Sequence, residues 1–449
     1  MIPKPNVRLH KNTPDKLLDK VVDMISTSQG APFLLNFDER SMAGMLEEAK
    51  RAQVEHLINE DNVFDYASVG CLENTMCGND RSATVDCNPN LVKAVELTLG
   101  DGQDLIVYTD ALWGNPYPVE TDAPKTGDPR QFTDFESFYA AFLVQLNFVM
   151  DRMARLYERS TELRAQYAPT PYLSCLVRGC AESGKDCTQG GAELSFVTVE
   201  GVTFATTVDS LLAIRYLVYD KHLCTMDTPI RALKANWEGY EILQAQAKNR
   251  APKYGRDDDA ADALALRFMR DWSDIVWGYR TKSTNAQFRP GMLSWNYWIG
   301  SGFILPLRRT DARAGSSSVT PSVPSTARTQ TVPQATQTPS AKRSVARTRS
   351  ATSSTSCPTA RATRLLSPSL MRDRERREKL KAFLRGYTQN GGTALQINIL
   401  DAETLKDAQK HPENYKNLLV RITGYNAYFT SIGRELQNEI IARESHNRY

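Results

Sequence analysis

Leu418-Leu419-Val420-Arg421-Ile422-Thr423-Gly424-Tyr425-Asn426-Ala427-Tyr428-Phe429, close to the C-terminus, sets one glycine between two β-prone runs. Spacing alone reads this as a turn or bulge. Glycine has a second use, because its α-carbon bears no side chain. Loss of one hydrogen leaves a planar radical spread over both flanking peptide groups, which a Cβ would crowd. Far upstream stand two copies of Gly-Cys-x-Glu, Gly70-Cys71-Leu72-Glu73 and Gly179-Cys180-Ala181-Glu182. A thiol two residues from a carboxylate puts a sulfur nucleophile or radical beside a proton acceptor if the segment is an irregular turn; otherwise it is an ordinary buried cysteine.

Other chemistries find little support. The spacings Cys71-x5-Cys77-x9-Cys87 and Cys175-x4-Cys180-x6-Cys187 match no common zinc pattern, and the five histidines are scattered without HExxH, so no metal site is expected. Neither GxGxxG nor GxxxxGKS occurs, which leaves Rossmann and P-loop nucleotide sites unsupported, and no bound cofactor is expected. Eight cysteines in 449 residues are too sparse for a disulfide scaffold. The longest apolar runs fall short of a membrane span, and the N-terminus lacks the apolar stretch of a signal peptide, so a cytoplasmic location is expected. The net charge of +3 is uneven: Pro306 to Leu366 holds ten Lys/Arg against Asp311, a local +9, leaving −6 elsewhere. The basic balance is therefore no argument for nucleic-acid binding.

Residues 1 to about 305 read as α/β. Helical periodicity appears at Thr13 to Thr27, Phe132 to Gln166, Thr207 to Asp220, Thr228 to Arg250 and Asp257 to Ser283, with β-prone runs at Phe33 to Asn36, Asp104 to Tyr108 and Leu194 to Val202. Residues 307–365, rich in Ser, Thr, Ala, Arg and Pro and without an aromatic, break that texture. Order returns with a charged helix from Met371 to Gly386, a Gly391-Gly392 turn, an alternating run from Thr393 to Leu400, and helices near Ala402 to His411 and Ser431 to Ser445.

Three blocks together resemble the glycyl radical enzymes of the pyruvate formate-lyase-like superfamily. Gly391-Gly392-Thr393-Ala394-Leu395-Gln396-Ile397-Asn398, Arg421-Ile422-Thr423-Gly424-Tyr425 and the closing Glu435 to Arg443 are similar to its glycyl radical domain. Asp65 to Glu73 with Asn90 to Leu97 resembles the thiyl-cysteine segment, and Gly184-Lys185-Asp186 through Gly190-Gly191 with Asp209 to Ile214 is also similar. The resemblance implies a fold, the C-terminal half of a ten-stranded α/β barrel plus a glycyl radical domain, interrupted by a low-complexity segment. It implies a radical on Gly424, installed by a separate radical S-adenosylmethionine activating enzyme, a thiyl radical on Cys71, and Glu73 as acid/base partner to a small-molecule substrate. It selects Cys71 over Cys180 and leaves Cys180 structural. A homodimer is implied for the full-length form, with no nucleic-acid or membrane partner.

Within the family, Gly70-Cys71 stands where pyruvate formate-lyase has Cys-Cys, which disfavours formate–acetyl transfer. A second acid, supplied downstream by dehydratase relatives, would fall at Val85, with Asp86 one place away, and the loop Asn74 to Ser82 resembles the decarboxylase-like branch. Decarboxylation is thus the first expectation, with dehydration or C–N/C–S cleavage, an inactive fragment, or a radical-domain spare part as alternatives. The expected division is a partial barrel domain at 1–306, a low-complexity segment at 307–366 that is disordered or frameshifted, and a glycyl radical domain at 367–449. The resemblance starts at an internal methionine near the middle of the barrel, so exposed strand edges and poor stability alone are expected.

Overall fold

The computed structural model describes residues 6–27, 34–69, 73–81, 86–105, 122–255, 258–293, 374–389, 391–395, 402–421 and 426–445. Strand β1 (Asn6–Leu9) is followed by helix α1 (Asp15–Thr27), whose Leu18, Val21, Val22 and Ile25 repeat at the helical period and are buried. Strand β2 (Leu34–Phe37) then pairs parallel to β1, from Asn6↔Leu34 to Leu9↔Phe37. A parallel pair needs such a crossover, and this βαβ unit makes the α/β class a feature of the structure. Helix α2 (Asp38–Ala52) starts where β2 stops, with Asp38 and Glu39 in its first turn, Lys50 and Arg51 in its last, and Gln53 left-handed behind it. It was not among the expected helices, although that charge order is a helix signal.

Strands β3 (Tyr66–Val69) and β4 (Glu73–Met76) form a hairpin, followed by α3 (Val92–Leu99) and the 33-residue α4 (Phe135–Tyr167). Asp134 caps α4 by accepting from Ser137 N at 2.7 Å. Short helices α5 (Pro171–Ser174) and α6 (Cys180–Ser183) lead to β5 (Phe196–Val202) and α7 (Phe204–Ile214), which runs on as π-helix over Arg215–Asp220. The helix expected over Thr228 to Arg250 is two, α8 (Asp227–Lys234) and α9 (Glu241–Asn249). Asn236, Trp237 and Gly239 between them take φ of 49°, 65° and 80°, which no helix accommodates. Helix α10 (Asp259–Trp277), capped by Asp258, precedes β6 (Gln287–Leu293). The C-terminal part comprises α11 (Arg374–Gln389), β7 (Ala394–Leu395), α12 (Ala402–Lys410), β8 (Leu419–Arg421), β9 (Asn426–Tyr428) and α13 (Arg434–Ser445). The strand expected at Asp104 to Tyr108 runs out of the described residues after Leu105, as the run Thr393 to Leu400 does after Leu395.

These elements form two compact units. The first takes the described residues within 1–84, 169–196 and 330–449. Its sheet has the order β1-β2-β7, with β7 antiparallel to β2, although the two strands are far apart in sequence. One core of this unit joins Leu18, Val21, Val22 and Ile25 of α1 to Leu380 and Leu384 of α11. The second unit takes the described residues within 85–168 and 197–329. Strands β5 and β6 pair there, and Val197, Val199 and Phe288 turn into a core shared with Phe138, Phe142, Leu211, Phe268 and Trp272. Alternation along the strands sends Thr198, Glu200 and Arg289 to the opposite face. No helix among the described residues is long and apolar enough to cross a membrane.

Candidate active site

The ladder between β3 and β4 runs from Tyr66↔Met76 to Val69↔Glu73. Gly70, Cys71 and Leu72 join its ends, and Cys71 lies outside the described residues. Glu73 opens β4, is 0% exposed, and is followed by buried Asn74, Thr75 and Met76. Burial of a carboxylate is costly, so Glu73 is held inside the fold rather than solvated, as Glu96 and Glu200 also are.

Side chains from three other elements fasten this hairpin. Arg8 on β1 donates from Nε to Asp38 Oδ1 at 2.8 Å and from Nη2 to Oδ2 at 3.2 Å, a two-pronged pairing. Its Nη1 donates to the carbonyls of Phe64 (2.9 Å) and Tyr66 (3.2 Å), and its guanidinium lies 4.1 Å from the Tyr66 ring centre. Tyr66 OH donates to Asp38 Oδ1 at 2.7 Å. Burial first, and the bond to Asp38 next, push the Tyr66 phenol well above its ordinary range, so it stays a donor. Higher on the hairpin, Ser68 Oγ lies 3.0 Å from Asn36 Oδ1 and 2.7 Å from Asn74 Oδ1, and Asn36 Nδ2 donates to Asn6 Oδ1. The hydroxyl has one proton, so it serves one of the two amides at a time.

The second Gly-Cys-x-Glu differs. Cys180 starts α6, buried beside Val177, Cys187 and Ala192. Burial first, then the neighbouring Cys187, raises its pKa, which keeps it a thiol. Glu182 folds back to accept from Gly179 N at 2.9 Å, so here the motif is a helix start. Asp86 accepts from Thr198 N at 3.0 Å and Thr198 Oγ1 at 3.1 Å, fastening residue 86 alongside β5; Val85 lies outside the described residues.

Strands β8 and β9 pair from Leu419↔Tyr428 to Arg421↔Asn426. Ile422 to Tyr425 join them, and Gly424 is outside the described residues. The hairpin sits on an apolar cluster of Leu405, Ala408, Val420, Phe429, Leu436 and Ile440. Phe429 N donates to Leu418 O at 2.8 Å, and Tyr415 OH donates to Asp407 at 2.6 Å. Among the described residues no group of three or more His, Cys, Asp or Glu is arranged to hold a metal ion. Sequence reasoning missed Arg8 and Asp38; the only hint was an acid at a strand-to-helix junction.

A family model described as pyruvate formate lyase-like matches residues 1–300, and one described as glycine radical matches residues 334–430, which include Gly424. Trans-4-hydroxy-L-proline dehydratase of Clostridioides difficile is 30% identical over 444 residues, 98% of this chain and 52% of that protein. Isethionate sulfite-lyase of Bilophila wadsworthia is 30% identical over 451 residues, 98% of this chain and 50% of its own. The solved B12-independent glycerol dehydratase from Clostridium butyricum superimposes with a TM-score of 0.77 at 27% identity, covering 98% of this chain and 52% of that one. The chain spans about half the length of the curated relatives it matches. Indoleacetate decarboxylase of Tractidigestivibacter scatoligenes is more distant, 23% identical over 472 residues. The first expectation of decarboxylation is corrected accordingly: dehydratases and sulfite-lyases fit better. The loop Asn74 to Ser82 misled because Asn74, Thr75 and Met76 are buried strand residues, with Asn74 bonded to Ser68, so their identity reports hairpin packing rather than substrate.

Proposed function

Because the chain belongs to the pyruvate formate lyase-like family, we propose that it is a glycyl radical lyase of the dehydratase and C–S lyase kind. Gly424 would carry the stored radical, Cys71 the thiyl radical, and Glu73 the proton. The proposed frame is the C-terminal half of a ten-stranded barrel at 1–306 and a glycyl radical domain at 367–449, separated by the segment 307–366. A radical S-adenosylmethionine enzyme would remove one hydrogen atom from Gly424.

The observation that carries this reading is Glu73, wholly buried at the first position after the residues joining β3 to β4, with Cys71 two places before it. Cys71 Sγ takes a hydrogen atom from a substrate carbon. Glu73 takes the proton of an O–H or N–H on that carbon, and the bond from the adjacent carbon to its leaving group breaks with its electron pair. The group departs as sulfite, or as water after receiving a proton from Glu73. The product radical recovers a hydrogen atom from Cys71, which returns the thiyl radical. Water and oxygen must be kept out while either radical persists.

The test is anaerobic incubation with an activating enzyme. A doublet paramagnetic signal is expected from the native chain and none from Gly424→Ala. Turnover is expected with members of a panel of 4-hydroxyproline, isethionate and 3-sulfopropanediol, and none with Cys71→Ser. Product from indoleacetate alone would restore the decarboxylase reading, and absence of any signal would end the radical one.

A further inference from the structure

One carboxylate closes the loop between α4 and β5. Asp186 accepts from Thr170 N (2.9 Å), Thr170 Oγ1 (3.2 Å), Ser174 Oγ (2.7 Å), Thr188 N (2.9 Å) and Thr188 Oγ1 (2.6 Å). Ser174 Oγ in turn accepts from Cys187 N at 3.0 Å, and Asp186 O accepts from Gly191 N at 3.1 Å. Two glycines permit the tight fold. A Cβ on Gly179, whose φ is 92°, would lie 2.6 Å from Glu193 N, and one on Gly191 would lie 2.0 Å from Lys185 O. Burial would raise the Asp186 pKa, but the bonds from Thr188, Ser174 and Thr170 outweigh it and hold it at about 2. The acceptor is therefore permanently charged near neutrality.

The outer edge of this loop grips the turn that follows β4. Arg178 N donates to Gly78 O at 3.0 Å, Arg81 N donates to Leu194 O at 3.0 Å, and Glu193 N donates to Arg178 O at 2.9 Å. Residues 78–81 are thereby held on two sides, and Cys77 N, donating to Asp65 O at 3.4 Å, closes the hairpin just above them. We propose that Asp186 is a positioning residue for the β3–β4 hairpin: it fixes the 170–194 loop, whose backbone holds residues 78–81 and so sets where Glu73 sits. The consequence for catalysis rests on the function proposed above; the mechanical link does not.

The experiment has two arms, both on the whole chain. In the resting protein, amide hydrogen exchange of Asp186→Asn is expected to quicken at least tenfold through residues 73–81, with α1 and α11 unchanged. An amide has one acceptor oxygen for five donors and adds a donor of its own. Ser174→Ala, which removes one donor and keeps the charge, should give a smaller change at the same residues. It serves if Asp186→Asn does not fold. Quickening confined to 170–190 in either variant overturns the proposal.

The second arm reads the relay in deuterium oxide. The Cys71 thiol exchanges with solvent, so each return of hydrogen to Gly424 delivers deuterium, and removal of the remaining protium turns the doublet into a singlet. In Asp186→Asn the doublet should form as in the native chain but lose its splitting at least tenfold more slowly, and Asp186→Glu should recover part of the rate. Loss of splitting at the native rate in Asp186→Asn overturns the positioning role. If the native chain forms no doublet, the radical reading fails; if its doublet persists as in Cys71→Ser, the relay through Cys71 fails; in both cases the exchange arm still decides the mechanical link.

Discussion

The two hairpins that bracket Cys71 and Gly424 are alike in size and opposite in construction. The β3–β4 hairpin is held by directional bonds from Arg8, Asp38, Asn36 and the 78–81 turn, contributed by segments spread along the sequence. The β8–β9 hairpin rests on Leu405, Ala408, Val420, Phe429, Leu436 and Ile440, all from one stretch of about forty residues. Hydrogen bonds specify position, and each works only with its partner in place, whereas apolar burial is non-directional and roughly proportional to area. The first arrangement fixes the strand that carries buried Glu73; the second suits a small unit assembled from its own sequence.

The sharpest way to break this contrast is Phe429→Ala. Phe429 is 0% exposed at the centre of the apolar cluster, and truncating such a ring costs about 3–5 kcal/mol. Amide protection should collapse across 402–445 and stay unchanged in 66–76. Asp38→Ala comes next. Asp38 is 15% exposed and serves both Arg8 and Tyr66, so its loss should cost about 2 kcal/mol, less than a fully buried pair because Arg8 is 35% exposed. A urea midpoint lowered with an unchanged slope, and faster exchange at 66–69 and 73–76 only, is the expected result. Spread of either effect to the other hairpin would mean that the two are one cooperative unit.

The same contrast explains what was legible in the sequence. Helix α1, most of α4 and the C-terminal helices follow from apolar period and caps. The β-prone runs around Gly424 were legible as strand-forming, and the β8–β9 pairing they make is local. At Asn236 to Gly239 the sequence does carry Asn and Gly turn residues, but they flank a Trp237 that is 6% exposed in the core with a left-handed backbone, so the apolar period runs on across the break. The polar fastening of β3–β4 has no period to read. Arg8, Asp38 and Tyr66 meet only after β1 has paired with β2, and β2 takes its other neighbour, β7, from the far end of the chain. Asp186 stood inside a quoted motif, but its partners Thr170, Ser174 and Thr188 are common surface residues whose convergence only the fold creates.

Acid should probe the polar side of the comparison more gently. Asp186 is held at about 2, below an ordinary aspartate near 3.9, so the folded state binds its proton less readily than the unfolded one. Its contribution is complete above about pH 4 and is lost as pH falls toward about 2. After allowance for solvent screening on a partly exposed loop, the loss amounts to about 1–2 kcal/mol. The difference in unfolding free energy between the native chain and Asp186→Asn should therefore shrink between pH 5 and pH 3. A difference that stays constant would assign the Asp186 contribution to shape rather than charge.

Ser68→Ala is the smallest change, and it separates specification from stability within the polar hairpin. Ser68 Oγ donates to Asn36 or Asn74, and removing a hydroxyl that shares one proton between two amides costs about 0.5–1 kcal/mol. One amide can partly compensate by turning its Nδ2 toward the other's Oδ1, so the midpoint of unfolding should move little. Position should move more, because Asn74 follows Glu73 on β4 and the Ser68 hydroxyl links either Asn74 of β4 or Asn36 of β2 to β3. The expected outcome is a chain of near-native stability in which exchange at 73–76 quickens severalfold. Equal and small effects on both measurements would show that the amide network adds nothing to the position set by the Arg8–Asp38–Tyr66 fastening and the 78–81 turn.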